Sequence, residues 1–197
     1  MISDTGKCDE SVAQNERNSS EATLLAEIAE GNKNSFKTFY DLYYSRLYRF
    51  IARITSGDNI DEVINDTMFV VWNKAATYNG ECAPSTWVFG IAYKKTLQSL
   101  RSKKRIIEES LDAMELESPL VSDPNCSIDQ YELSNFLGKA LENLTEEQRA
   151  VVELTYYQGL SYKEIAVLMD CSENTVKTRM FYARAKLSKT LQENEER

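Results

Sequence analysis

Apolar residues recur along this chain at helical spacing, in blocks separated by polar breaks. Phe36, Phe39, Tyr40, Tyr43, Leu47, Phe50, Ile51 and Ile54 form one such stripe and predict a core-facing helix. Ser35 is its predicted N-cap. Upstream, Leu24, Leu25, Ile28 and Ala29 predict a short helix over Glu21–Glu30, closed by Gly31 in the left-handed conformation. Residues 1–20 are rich in Ser, Asn, Asp and Glu without an apolar period, and are expected to be a disordered tail. Ser56-Gly57-Asp58 breaks the pattern before a helix that starts near Asp61. There Val63, Thr67, Val70, Val71 and Lys74 share one side, opposite Glu62, Asn65, Asp66, Phe69 and Trp72. A polar loop over Ala76–Ala83 follows. Pro84 then suits the first turn of a helix striped by Phe89, Ala92, Tyr93, Thr96, Leu97 and Leu100.

The C-terminal third repeats this language. Leu133, Phe136, Leu137, Ala140, Leu141 and Leu144 form a stripe. Thr145 with Gln148 is a capping box that opens a helix over Glu146–Gln158, ended by Gly159. Ser161 with Glu164 is a second box, opening Tyr162–Met169. After the turn Asp170-Cys171-Ser172, Ser172 caps a long helix with Val176, Met180, Ala183 and Leu187 facing inward. A helix, a short turn and a second helix carrying basic residues in its first turns predict a helix-turn-helix. The predicted fold is therefore all-α. Two small helical domains, 21–105 and 128–192, flank an acidic linker at 106–127, with a short tail at 193–197.

Charge sharpens this picture. The chain carries −8 overall, which argues against a generally basic nucleic-acid binder. The balance is uneven, however. Between Cys82 and Ile107 there are six Lys or Arg and no Asp or Glu. Residues 108–147 hold eleven Asp or Glu and only Lys139 as a base. Residues 171–192 are again basic. Two basic islands in an acidic chain suppress indiscriminate DNA binding while leaving two specific contact surfaces. Lys94, Gln98, Arg101 and Arg105 form a helical row that can neutralise successive phosphates. A solvated helix end with its cations near the C-terminal dipole would read the same way. Carboxylates mixed with Phe69 and Trp72 suit a docking surface, where aromatics anchor and charges set register. The alternative is that both rings tuck under a neighbouring helix, and spacing leaves the two readings open.

The residues Asp61–Trp72 (DEVINDTMFVVW), Ala76–Ala83 (ATYNGECA) and Ser85–Ala92 (STWVFGIA) resemble region 2 of bacterial RNA polymerase sigma factors of the extracytoplasmic-function (ECF) group, within the sigma-70 family. The stretches Leu160–Ala166 and Asn174–Arg179 are similar to sigma region 4. Regions 1.1 and 3 of the larger sigma factors have no counterpart. The resemblance implies a factor that binds core RNA polymerase and directs initiation at promoters with −35 and −10 elements, helping to melt the latter. It implies a polymerase-docking set of Asp61, Glu62, Asn65, Asp66, Phe69 and Trp72. For the −10 element it implies Tyr78, Asn79, Gly80, Trp87, Lys94, Gln98, Arg101 and Arg105, with the loop capturing a flipped base. The −35 set is Arg149, Ser172, Asn174, Thr175, Lys177, Thr178, Arg179, Phe181, Tyr182 and Arg184. Among these, Lys177 can donate to guanine, Phe181 can touch a thymine methyl, and Arg149, Arg179, Arg184 and Lys186 suit phosphates. An internal ion pair from Arg179 or Arg184 to Glu153 or Glu164 is the competing assignment. The chain departs from the family at Lys94 and Gln98, and at Asn174, where Gly is usual.

The implied partners are the β′ clamp helices and β flap of core polymerase, promoter DNA, and an anti-sigma factor that clamps the two domains. The implied location is the bacterial cytoplasm, on the nucleoid when active or held at the membrane by the anti-sigma factor, without membrane insertion. With no histidine, no glycine-rich phosphate loop and four scattered cysteines (Cys8, Cys82, Cys126, Cys171), no enzyme, metal site or cofactor is expected. Cys82 and Cys171 each adjoin a proposed DNA-contacting segment, and both are read as simple reduced thiols. A stand-alone helix-turn-helix regulator with an N-terminal sensor or dimerisation domain is the other reading. Asp61–Trp72 followed by the basic helix is the feature such a regulator would not need.

Overall fold

Helix α1 runs Thr5–Ala29, and Gly31 follows it at φ 87°, as its lack of a side chain permits. In the computed structural model, residues 5–55, 59–109, 141 and 143–195 are described. The segment expected to be a tail is thus helical from Thr5 onward. The physical reason is propagation. Leu25 and Ile28 dock the C-terminal turns into the core, and Glu21 is 1% exposed, accepting from the Tyr43 hydroxyl at 2.5 Å and pairing with Arg46 at 3.3 Å. Once those turns are fixed, each added residue needs no new nucleus.

Helix α2 spans Lys33–Thr55 and buries Phe39, Tyr43, Leu47, Phe50, Ile51 and Ile54, the predicted stripe. Its cap differs from expectation. Asn32 Oδ1 accepts from the backbone N–H of Asn34 and Ser35, while Ser35 lies inside the helix and donates its hydroxyl to Glu27. An Asx turn from Asn32 satisfies the free amides three residues earlier than the serine could.

Helix α3 (Ile60–Lys74) presents Val63, Ile64, Thr67, Met68 and Val71 to the core. A 3₁₀ turn, Ala75–Thr77, leads into the loop. Helix α4 (Pro84–Glu109) crosses with Val88, Phe89, Ala92 and Tyr93 buried, and it continues four residues past Arg105 into the predicted linker. These four helices form one bundle, with α3 packed on both α2 and α4.

The second unit comprises α5 (Glu146–Tyr156), α6 (Tyr162–Leu168) and α7 (Glu173–Glu195). Both capping boxes are formed: Thr145 with Gln148, and Ser161 with Glu164. The α5 helix stops at Tyr156, two residues before its predicted end, and Gly159 takes a left-handed φ of 67°. Val176, Met180 and Ala183 seat α7 on α5 and α6. All helical structure among the described residues is α or 3₁₀, and no strand is present among them. Residues 110–140 lie outside the described set, and with them the stripe at Leu133, Phe136, Leu137 and Ala140. Leu144 is buried. The two units touch: α5 packs on α2, and α6 packs on α4.

Candidate nucleic-acid interface

Three surfaces carry the residues singled out by the sequence. The first is the outer face of α3. Asp61, Glu62, Asn65, Asp66 and Phe69 lie along it, all exposed, with Phe69 at 69%. Its polar groups are held in place. Tyr44 donates its hydroxyl to Asp61 at 2.8 Å, Tyr40 donates to Asn65 at 3.1 Å, and Lys95 reaches Asp66 at 3.1 Å. From sequence Tyr40 was read as part of the core stripe and Tyr44 was not singled out, yet both pairs sit at i, i+4 on their own helices, a register that becomes visible once α2 and α3 are paired. Trp72 does not join this face. It is half-buried, with its ring edge-on to Phe36 at 5.1 Å. A docking face and an inward tuck were alternatives for both aromatics; the fold leaves Phe69 exposed and turns Trp72 inward, where Phe36 of α2 receives its ring.

The second surface is α4 with the loop before it. Lys94, Gln98, Arg101 and Arg105 are exposed and, with Ser102, line one shallow groove. Lys95, one residue off that row, turns away to Asp66. The loop has a defined shape. Tyr78 donates its hydroxyl to the Cys82 carbonyl at 2.6 Å, and its ring lies 5.7 Å from that of Trp87. Asn79 Oδ1 accepts from the Glu81 amide at 3.1 Å, and Gly80 occupies the left-handed region at φ 76° with open space around it. Tyr78 is thus half-buried and part of the loop's scaffold, while Asn79 and Gly80 are exposed. Burial raises the Tyr78 hydroxyl and the Cys82 thiol above their ordinary ranges.

The third surface is the N-terminal half of α7. Ser172 Oγ accepts from the Thr175 amide at 3.1 Å, the cap that starts the helix. Lys177 pairs with Glu173 at 2.8 Å, which lowers the Glu173 carboxyl, and Thr178 donates to the Asn174 carbonyl. Phe181 and Tyr182 stand out from the helix at 68% and 55% exposure, edge to face. The arginines divide. Arg184 donates to the Tyr156 hydroxyl at 3.1 Å and remains exposed. Arg179 is half-buried, 3.7 Å from the Cys171 sulfur. Arg149 donates to the Leu144 carbonyl and, across the boundary between units, to the Ile54 carbonyl at 3.2 Å. Arg179 and Arg184 thus turn to Cys171 and Tyr156. Glu153 instead pairs with Arg53, a contact that sequence alone did not single out.

The model for Sigma-70 region 2 matches residues 39–106, and the model for Sigma-70 region 4 matches residues 137–187. The chain belongs to the extracytoplasmic-function group of the sigma-70 family. This sigma factor is 25% identical over 177 residues to the ECF RNA polymerase sigma-E factor of Haemophilus influenzae, covering 86% of this chain and 94% of that one. It is 28% identical over 163 residues to the ECF RNA polymerase sigma factor SigK of Mycobacterium ulcerans, covering 80% and 86%. Its structure is similar to that of the sigma factor RpoE in complex with the anti-sigma factor NepR from Bartonella quintana, with a TM-score of 0.68 and 25% identity over 80% of this chain and 96% of that one. It also shares its fold with CnrH, solved with the cytosolic domain of CnrY, at a TM-score of 0.62 and 22% identity over 88% and 97%. As a sigma factor it directs promoter-specific transcription, and the stand-alone regulator is not favoured, since the first unit also matches the family. Among the described residues, no helix is long and apolar enough to cross a membrane.

Proposed function

We propose that the α3 face docks this sigma factor on the β′ clamp helices of core RNA polymerase, with Phe69 as the apolar anchor and Asp61, Glu62, Asn65 and Asp66 setting register. One observation carries this reading: a phenylalanine 69% exposed within a row of carboxylates that neighbouring side chains hold in fixed positions. Exposed aromatics ringed by polar groups gain most when a partner covers them. The α4 row follows the backbone near the −10 element, and Asn79 and Gly80 meet a base taken out of the stack. Lys177, Phe181 and Tyr182 enter the major groove at the −35 element, with Arg184 on a phosphate. Ser172, Asn174, Thr175 and Thr178 shape the start of that helix.

The second unit engages the β flap of polymerase. An anti-sigma factor covers the docking face and the basic surfaces in the resting cell, as the complex of one structural relative with an anti-sigma factor supports. The protein works in the cytoplasm, on the nucleoid when active, with the catalysis performed by polymerase. The test is co-elution of the purified chain with core RNA polymerase and initiation from promoter DNA. Association with initiation is the expected result. Footprinting of duplex DNA by the free chain, without association, would overturn it.

A further inference from the structure

Helix α7 carries Lys177, Phe181 and Arg184 at i, i+4 and i+7, all exposed, in one row beside the buried Val176, Met180 and Ala183. The cations of this helix are held in different ways. Lys177 pairs with the Glu173 carboxylate, Lys186 donates to the Asn143 carbonyl, and Arg179 is half-buried beside Cys171. Arg184 is exposed, and its Nε donates to the hydroxyl of Tyr156 at 3.1 Å. Tyr156 is the last residue of α5, outside the helix-turn-helix, and is 60% exposed. Both ends of the bond stand on rigid elements: α5 packs on α7, and Leu154 and Ala183, close to the pair in sequence, are fully buried. The guanidinium carbon lies 5.8 Å from the ring centre, near the outer limit of about 6 Å for a cation–π contact, so the hydrogen bond is the firmer tie.

The chemistry of the pair suits one kind of ligand. Of the guanidinium N–H groups, the one on Nε is spent on Tyr156, and the terminal nitrogens keep the fork that meets a phosphate through two parallel bonds. The Tyr156 hydroxyl accepts in this bond and keeps its own proton to donate. The holder is also neutral. A carboxylate in its place would grip the guanidinium firmly but cancel the charge that draws a phosphate, as Glu173 does for Lys177. A phenol fixes the arginine and leaves its charge intact.

We propose that Tyr156 and Arg184 together form a seat for one backbone phosphate of the DNA beside the −35 element, in which Tyr156 sets the position of the arginine and adds a hydrogen bond of its own. This rests on the proposed entry of α7 into the major groove, and it gives α5 a direct share in the promoter contact. The seat carries no sequence information. It fixes the register of α7, so that Phe181 and Lys177, further along the same row, meet their bases.

The test uses holoenzyme assembled from core RNA polymerase and the full chain. It is bound to promoter duplexes in which single phosphates beside the −35 element are replaced in turn by uncharged methylphosphonates. With the natural chain, one such position should lower affinity about tenfold, as loss of a charge-assisted contact does. Arg184→Ala should bind the unmodified duplex about tenfold more weakly and lose its sensitivity at that position. Tyr156→Phe keeps the ring and removes the hydroxyl, and affinity should fall about three- to tenfold. Tyr156→Glu separates holding the arginine from holding the phosphate. Its melting temperature should match or exceed that of Tyr156→Phe, since the arginine is gripped again, while its affinity should fall as far as that of Arg184→Ala. A purely structural tie would be rescued by glutamate in both measurements, and that result would overturn the seat. Tyrosine variants that bind as the natural chain does, beside a weakened Arg184→Ala, would overturn the seat and leave Arg184 on its phosphate. An Arg184→Ala chain that binds undiminished would overturn that placement and the seat with it.

Discussion

The hydroxyl of Tyr44 donates to Oδ1 of Asp61 at 2.8 Å, tying helix α2 to the first turn of the proposed docking face on α3. The bond raises the Tyr44 hydroxyl to about 12, with Asp61 as the leading cause, so the tyrosine stays protonated and donating throughout the physiological range. Tyr40 repeats the contact one turn away with Asn65, and the two rings stack 5.9 Å apart. Tyr44→Phe keeps the ring and removes the bond. Binding to core polymerase should weaken about three- to tenfold, because Asp61 is no longer held in place on the docking face. Stability should fall by no more than the about 0.5–1.5 kcal/mol that such a bond contributes. Polymerase affinity measured beside a melting curve checks both; a large drop in melting temperature with unchanged affinity would make the bond purely structural.

Asp66→Arg combined with Phe69→Ala should abolish polymerase binding and leave the fold intact. Phe69 is 69% exposed, and surface changes of that kind usually alter stability by less than about 0.5 kcal/mol. The arginine would face Lys95, which now meets Asp66 at 3.1 Å. Co-elution with core polymerase, read beside circular dichroism, decides it. Variants that still co-elute normally would show that the face docks nothing.

Lys177→Ala should weaken use of the −35 element by about 1–3 kcal/mol at a contacted guanine while polymerase binding is kept. Its partner Glu173 is exposed, so the helix should survive the change. Initiation from promoters with an intact or altered −35 element is the readout. An equal loss of polymerase binding would place the lysine in the fold.

Glu153 gives a pH prediction. Burial raises its carboxyl, and Arg53 offsets this only in part. A carboxyl raised in the folded state binds its proton more tightly there than in the unfolded chain. Its contribution to stability is complete below the ordinary value of 4.5 and is lost as pH rises through the higher folded value. Glu153→Gln removes that titration. The variant should match the natural chain near pH 4 and gain on it as pH rises toward neutrality. Thermal unfolding from pH 4 to 8 measures the difference, and a gap that narrows with rising pH would reverse the sign.

What the sequence made legible was local. Thr145 with Gln148 and Ser161 with Glu164 form boxes because every group involved lies within four residues. Gly31 and Gly159 end helices because the left-handed turn asks for them. The positions that the sequence left open or placed differently depended on distant partners. The helix from Thr5 is secured by Tyr43 and Arg46 on another helix, and Trp72 turns inward because Phe36 is there to receive it. Arg149 was read as suiting a phosphate, and its bond to the Ile54 carbonyl, 95 residues away, could not be seen from the sequence. The basic row on α4 was legible because an exposed helix face needs no partner to be defined.

The loop between Tyr78 and Cys82 has one further consequence. Its shape is already set by the Tyr78–Cys82 and Asn79–Glu81 hydrogen bonds and by the left-handed turn at Gly80. Ordering a free loop costs about 1–2 kcal/mol per residue, and here that entropy is lost on folding, before any DNA arrives. On the proposed reading, an unstacked base meets a rigid socket instead of a segment that moulds itself to whatever enters. Such a socket selects by rejection: a base of the wrong shape finds no compensating rearrangement and leaves quickly. Discrimination at the −10 element would then lie in dissociation rates, with the rate of arrival nearly the same for every base.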